Sequence, residues 1–142
     1  MTRIDFYLQQ APATASLDTL VCRLVDKVFG QGHQVYILTP DRETATRIDQ
    51  LLWTYSPGSF VPHALYNIEL SSPTPPVLIG PQEPPAAWQD ILVTLSPEIP
   101  SYFSRFERVA EFVTANEDAK QGARERFRFY RDRGYPLETH EI

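Results

Sequence analysis

The chain has 142 residues, of which 42% are apolar and 22% charged. That length predicts one domain, 1–142, which buries roughly 68% of its unfolded surface. The single cysteine, Cys22, excludes an internal disulfide, and no apolar run has the roughly 18 to 20 residues of a membrane span. Thirteen basic against 18 acidic residues give a net charge of −5, which argues against broad binding to a phosphate backbone. We therefore expect a reduced, cytoplasmic protein away from the membrane.

The first part of the chain predicts alternating strands and helices. Apolar and polar residues alternate over 3–8, which is typical of a strand. Apolar residues recur every three or four positions from Leu17 to Gln31 and predict a helix. A short apolar run, 35–38, is typical of a buried parallel strand, and Asp41 can cap a second helix that runs to about Tyr55. This order predicts an α/β fold with right-handed crossovers.

Prolines dominate the middle of the chain. After a turn-rich loop over 56–63, they cluster within 71–85 and predict a loop that a short strand at 77–79 interrupts. Further strands are predicted at 90–95 and 107–113, and a last helix runs to Arg133. Residues 134–142 then form a C-terminal tail. With four or five strands and three or four helices, we expect a three-layer α/β/α sandwich with a mostly parallel sheet.

The sequence offers little catalytic chemistry. The first strand is followed by Gln9-Gln-Ala-Pro-Ala-Thr-Ala-Ser rather than a glycine-rich loop, so the fold is Rossmann-like without a phosphate-binding loop. The three histidines, His33, His63 and His140, lack the spacing of a metal site and are expected on the surface or in loops. Cys22 lies beside the buried stripe of the first helix and is expected to be inert. The sequence therefore predicts no enzyme, no cofactor and no metal.

Charge is distributed unevenly along the chain. Six bases and two acids lie between Lys120 and Arg133, whereas the remaining residues hold 7 bases and 16 acids. An acidic body with one compact basic segment favours a local site for an acidic ligand. The alternative is that the segment is simply the solvated face of a helix.

The bases of the last predicted helix fall mostly on one face. Positions i, i+4, i+8 and i+11 share a helix face, and here they hold Lys120, Arg124, Arg128 and Arg131. Phe127 and Tyr130 lie beside this row, whereas Arg126 and Arg133 point elsewhere. A basic row beside an aromatic wall suits a short acidic peptide with an apolar last residue. The row suits phosphate as well, and the negative body favours peptide.

A second candidate surface follows the second predicted helix, over residues 52–63. Trp53 is out of phase with the buried positions of that helix, and Phe60 lies in a turn-rich loop. Aromatic residues and prolines with little charge are typical of the centre of a protein interface. The alternative is that Trp53 and Phe60 fold over the sheet edge as part of the core.

Four segments of the chain resemble the chi subunit of bacterial DNA polymerase III. They are Ile4-Asp-Phe-Tyr-Leu, Leu52-Trp-Thr-Tyr-Ser-Pro-Gly-Ser-Phe-Val-Pro-His, Ser104-Arg-Phe-Glu-Arg-Val and Arg124-Glu-Arg-Phe-Arg-Phe-Tyr-Arg-Asp-Arg-Gly-Tyr. The match runs in order over nearly the whole chain and departs only in the proline-rich stretch 71–85. The resemblance implies a non-catalytic subunit of the clamp-loader assembly, on a fold similar to nucleotide-binding folds.

The resemblance also implies partners and site residues. One partner is the acidic, phenylalanine-ending tail of single-stranded-DNA-binding protein, which links the chain to single-stranded DNA indirectly. The implied tail site consists of Val113, Lys120, Arg124, Phe127 and Arg128, with Arg124 holding the terminal carboxylate and Lys120 and Arg128 holding aspartates. The other partner is the psi subunit, in a heterodimer through Trp53, Pro57 and Phe60.

Two alternatives from other classes stay open at this point. One is a nucleotide-dependent enzyme or sensor that uses the crevice at the carboxyl ends of the strands. The other is direct binding of single-stranded DNA along the basic helix, with Phe127 as a stacking platform.

Overall fold

The computed structural model describes residues 1–13, 15–67 and 74–142. Within them the chain forms seven strands, three α-helices and one 3-10 turn, Phe103–Arg105. The strands are β1 (Arg3–Leu8), β2 (Val35–Leu38), β3 (His63–Leu65), β4 (Val77–Gly80), β5 (Ile91–Thr94), β6 (Arg108–Val113) and β7 (Leu137–Glu141). The helices are α1 (Leu17–Gly30), α2 (Arg42–Thr54) and α3 (Glu117–Asp132).

All seven strands join one sheet, in the order β3-β4-β2-β5-β6-β1-β7. Each neighbouring pair of these described strands runs parallel. Helices α1 and α2 pack on one face of the sheet and α3 on the other, and a separate apolar cluster fills each side. The predicted three-layer α/β/α sandwich is confirmed.

Each α-helix begins at a side chain that accepts a hydrogen bond from a backbone N–H of the first turn. Ser16, Asp41 and Asn116 accept such bonds at the starts of α1, α2 and α3, at 3.2, 2.7 and 2.8 Å. These N–H groups have no partner within a helix, so a polar cap stabilises each start by about 1 kcal/mol. Gly134 closes the end of α3 with a φ of 81°, a left-handed conformation that glycine adopts without strain.

Strand side chains alternate between the two apolar clusters. Val35 and Ile37 of β2 pack against α1 and α2, whereas Tyr36 and Leu38 pack on the face that carries α3. Both faces of a central parallel strand are covered, which explains the continuous apolar run. Because Ile37 is fully buried, truncation to alanine would cost roughly 2–5 kcal/mol.

Two sequence predictions are wrong at the edges of the sheet. Residues 134–142 are not a tail, because β7 pairs with β1 from Ile4↔Leu137 to Leu8↔Glu141. The predicted loop 56–63 ends in β3, which pairs with β4, so the sheet has seven strands rather than four or five. Both edge strands lack a long apolar run. Their pairing, rather than their own pattern, makes them strands.

The histidine prediction also needs correction. His63 lies at the start of β3 and is only 8% exposed, so it is not a surface or loop histidine. His140 lies in β7 and is partly buried. Cys22 is buried as predicted, and its burial, with the nearby charge of Asp18, raises the pKa of the thiol to about 12. Such a thiol stays protonated and unreactive at neutral pH.

The proline-rich stretch is described only in part. Residues 71–73 lie outside the described residues, and the part from 74 to 85 contains β4 near the position predicted for a strand. Over the part of the chain that the structure describes, no helix is both long enough and apolar enough to traverse a bilayer.

Candidate functional site

The sheet has a topological switch point between β1 and β6. These strands are parallel neighbours, yet the chain leaves β1 for α1 on one face and leaves β6 for α3 on the other. Connections that diverge in this way open a crevice outside the carboxyl ends of the strands, where open α/β folds bind ligands. A cavity of about 490 Å³ lies at this crevice.

We call this cavity the cleft. Helix α3 supplies its basic wall. Only Ala123 and Tyr130 of α3 are fully buried, which fixes the side of the helix that faces the sheet. The basic row flanks that side and lines the cleft with all four members, Lys120, Arg124, Arg128 and Arg131. Helical spacing alone therefore predicts correctly that these four cations share one surface.

The cations of the cleft have few competing carboxylates. Lys120 Nζ lies 3.6 Å from the exposed Glu117, and Arg131 pairs with its exposed neighbour Asp132 at 3.3 Å. Arg124 donates to the side-chain oxygen of Gln121 at 3.3 Å. In residues 1–13, 15–67 and 74–142, no ion pair involves Arg124 or Arg128. Exposed pairs of this kind contribute little, so the row can bind an external anion.

The floor of the cleft is apolar. Phe127 is half-buried, and its ring lies 5.6 Å from that of Phe6 of β1. Val113, at the end of β6, is 2% exposed and also lines the cleft. The five residues that the resemblance implies for a tail site, Val113, Lys120, Arg124, Phe127 and Arg128, thus all line one cavity. Tyr130 does not line it, because it is fully buried in the core.

The opposite flank of α3 carries an arginine with an internal partner. Arg126 Nε donates to the buried carboxylate of Glu111 at 2.7 Å, and the Tyr130 hydroxyl donates to the other carboxylate oxygen at 3.2 Å. Burial raises the pKa of Glu111 above its usual value, and the charge of Arg126 and these hydrogen bonds only partly offset this. The cluster pins α3 to β6. It thereby fixes which flank of the helix faces the cleft.

Residues beyond the predicted set complete the cleft. The backbone turn after β1 contributes Gln9, Gln10 and Ala11, and β7 contributes Thr139 and Glu141. No motif marks these residues. The signal available in the sequence was positional: Gln9 directly follows a predicted parallel strand, where a switch-point ligand would bind.

The second candidate surface lies at the far edge of the sheet. Trp53 is 55% exposed and Phe60 is 64% exposed, and their ring centroids are 5.9 Å apart. Pro57, in the loop between them, is exposed as well. These three residues form what we call the aromatic patch. The alternative that Trp53 and Phe60 fold into the core is wrong.

His63 supports the aromatic patch from beneath. Its ring lies 4.6 Å from that of Trp53, and its two nitrogens lie 2.6 and 2.8 Å from the carbonyl oxygens of Val61 and Asp49. These contacts join β3 to α2 and hold the loop between them. The patch is therefore a supported surface feature.

A polar cluster lies on the β1 and β7 side of the sheet. Asp5, Glu138 and His140 come within 4.8 Å of one another and have ligand types that bind metal ions. The Asp5 carboxylate is already occupied, because it accepts from Arg108 at 2.7 Å, His140 at 3.0 Å and Arg3 at 3.1 Å. Two guanidinium groups beside one carboxylate disfavour a cation, so the cluster fits an ion-pair network.

Together these features define an open parallel α/β protein whose switch-point crevice is a cationic cleft with an apolar floor. A glycine-rich phosphate loop is absent from the turn after β1.

The family model for the DNA polymerase III chi subunit, HolC, matches residues 1–138. DNA polymerase III subunit chi of Pseudomonas aeruginosa is 37% identical over 142 residues, covering 100% of this chain and 98% of the relative. The protein of the same name from Escherichia coli is 32% identical over 143 residues, covering 98% and 97%. That of Haemophilus influenzae is 29% identical over 138 residues, covering 97% and 96%.

The chain belongs to the DNA polymerase III chi subunit family. The family resemblance of the sequence is thereby confirmed, and the chain has an accessory role in DNA replication with components of the polymerase complex.

Proposed function

We propose that this chain is a non-catalytic adaptor of the replication machinery with two separate protein-binding surfaces. The cleft binds the acidic, phenylalanine-ending tail of single-stranded-DNA-binding protein, and the aromatic patch binds the psi subunit. Both contacts are made in the cytoplasm. The observation that carries the proposal is the cleft itself, where four cations adjoin an apolar floor and two of them, Arg124 and Arg128, have no ion pair among the described residues.

The chemistry of the cleft suits such a tail. Arg124 holds the terminal carboxylate, because a guanidinium can donate two parallel N–H bonds to it. Lys120 and Arg128, one turn of α3 to either side, hold aspartates that precede it. Phe127 and Val113 contact the aromatic side chain of the last residue. An internal segment would lack the terminal carboxylate, so the site selects a chain end.

The aromatic patch suits a different kind of partner. Trp53 and Phe60 expose more than half of their surface, and large exposed aromatic residues are the usual anchors of protein interfaces. Pro57 adds a rigid apolar contact in the loop between them. Binding there depends on buried apolar area rather than on charge. A second subunit of the same assembly is the partner that this surface fits.

The test of the cleft is a titration with a labelled acidic peptide that ends in Pro-Phe, followed by fluorescence anisotropy. We expect micromolar-range affinity for the unmodified chain and a loss of about 10-fold to 100-fold in Arg124→Ala, the range for a charge-assisted bidentate contact. Arg133→Ala is the matched control at the C-terminal end of the same helix, because Arg133 stacks over Phe129 at 3.6 Å and does not line the cleft.

The independence of the two surfaces is tested in the same assay. Trp53→Ala is expected to leave peptide affinity unchanged, because Trp53 does not line the cleft. Equal losses in Arg124→Ala and Trp53→Ala would refute two separate sites. A peptide with an amidated C-terminus should bind weakly, and undiminished binding would refute recognition of a chain end.

A further inference from the structure

One acidic residue lies in the basic cleft. Of the described residues that line the cavity, Glu141 alone carries a carboxylate, whereas four carry a positive charge. Glu141 is exposed, and no ion pair of the described residues involves it.

The backbone holds Glu141 in place at the rim of the cleft. Glu141 is in register with Leu8 of β1, which also lines the cavity. Hydrogen bonds from the Ile142 N–H to Leu8 O and from the Gln10 N–H to Ile142 O, both at 2.9 Å, fix the end of β7. Residues alternate along a strand, so Thr139 and Glu141 line the cleft while His140 contacts Asp5 on the other face.

We propose that Glu141 determines the specificity of the cleft by rejecting densely charged anions. The inference rests on the proposed function and states what the same site discriminates against. A fixed negative charge repels any ligand charge near it and leaves more distant charges largely unaffected because solvent and salt screen them. A short tail carries only a few carboxylates, so it can bind with all of them away from Glu141. A nucleic-acid strand carries one phosphate per nucleotide and places a charge beside Glu141 in every register.

This role is an example of specificity through repulsion. The basic row alone would attract any polyanion, and single-stranded DNA is one such competitor. One carboxylate at the rim lowers affinity for the intended peptide slightly and for the competitor much more. Discrimination is the difference between the two effects.

The experiment compares Glu141→Gln with Glu138→Gln. Both variants remove one negative charge from the same exposed strand, but Glu138 does not line the cleft. The probes are the labelled acidic peptide and a labelled oligothymidylate of about 20 nucleotides, each titrated at low salt. We expect Glu141→Gln to tighten peptide binding by about twofold and oligonucleotide binding by about tenfold, from Coulomb repulsion at such distances.

The control should change each affinity by less than about twofold, since only the net charge of the protein changes. The inference requires the ratio of the two affinities to change in Glu141→Gln and not in Glu138→Gln, and any other pattern overturns it. Thermal unfolding of both variants checks that β7 remains paired. If the unmodified chain fails to bind the peptide at all, the proposed function fails instead, so the two failures are distinguishable.

Discussion

The cleft and the aromatic patch differ in shape, in charge and in the parts of the chain that form them. The cleft is concave and cationic, with an apolar floor, whereas the patch is exposed and aromatic. The cleft is assembled from β1, β6, α3 and β7, which lie at opposite ends of the sequence, whereas the patch comes from the short stretch 53–60. The proposed charge recognition therefore depends on the order of strands in the whole sheet, whereas the proposed apolar contact depends on the end of α2 and the loop that follows it.

Removal of the Glu111 carboxylate is expected to have the largest effect: it should destabilise the fold and, of the two surfaces, disturb only the cleft. Glu111→Ala leaves Arg126 without its buried partner and Tyr130 without its acceptor. Loss of one member of such a buried pair costs about 3 kcal/mol in the free energy of unfolding. Urea unfolding measures this cost, and peptide titration of the folded variant measures the disturbance of α3.

Glu125→Ala is the matched control for that change. Glu125 lies on α3 next to Arg126, is exposed and has the same charge as Glu111. Its removal should alter the free energy of unfolding by less than about 0.5 kcal/mol. Equal destabilisation by the two variants would show that the charge of α3, rather than the buried cluster, controls the stability of the helix.

The aromatic patch should respond in the opposite way, with a loss of binding and little loss of stability. Trp53→Ala is expected to weaken psi binding by about 2 kcal/mol, as is usual for a central aromatic anchor. Isothermal titration calorimetry with purified psi subunit measures the loss, and thermal unfolding should be nearly unchanged because Trp53 is already 55% exposed. An unaltered affinity would show that the aromatic patch does not contribute to psi binding.

Salt separates the two surfaces with a smaller effect. An increase from about 50 mM to about 300 mM sodium chloride should weaken the cleft–peptide complex by about fivefold to tenfold, because the cations of the cleft are exposed and screened. Binding at the aromatic patch should change by less than about twofold. Parallel titrations at each salt concentration measure both. Equal salt dependence would contradict the assignment of charge to one surface only.

Acid should lower the stability of the sheet beside the cleft, and this is the smallest of the expected effects. Burial alone would raise the pKa of Asp5, but hydrogen bonds from His140 and Arg108, with the charges of Arg108 and Arg3, lower it below the usual 3.8. A lowered pKa stabilises the fold above pH 3.8, and this stabilisation is lost as the pH falls through the lower folded value.

Unfolding at a series of acidic pH values, compared with Asp5→Asn, measures this contribution. The variant should lack the part of the pH dependence that Asp5 supplies.

Much of the fold follows from sequence pattern, because strong local patterns and buried positions coincide. The apolar runs of β2 and β5 predict central strands, and the stripe of α1 predicts its buried face. Sequence pattern does not predict strands β3 and β7. Leu137-Glu-Thr-His-Glu has no apolar alternation on its own, and only pairing with β1 makes it a strand.

The residues of the candidate site likewise divide into those that a local sequence pattern predicts and those that it does not. The basic row is predictable because its members share one helix, and one periodicity places them together. Gln10 and Glu141 come from the two ends of the chain, and only the order of the strands brings them to the same cavity. For Tyr130, helical spacing misleads. Its position along α3 places it beside the basic row, but its side chain is buried in the core, where its hydroxyl donates to Glu111.

The parallel pairing of β7 with β1 has a consequence for biosynthesis. A ribosome delivers β1 first and β7 last, and β1 lies between β6 and β7 in the sheet. Such pairings between distant parts of a sequence form slowly, because a long intervening loop must close. The nascent chain thus has no complete cleft until β7 emerges, whereas α2, which carries Trp53, and the loop with Pro57 and Phe60 emerge much earlier. During translation, the surface proposed for the apolar contact would therefore form before the surface proposed for the electrostatic one.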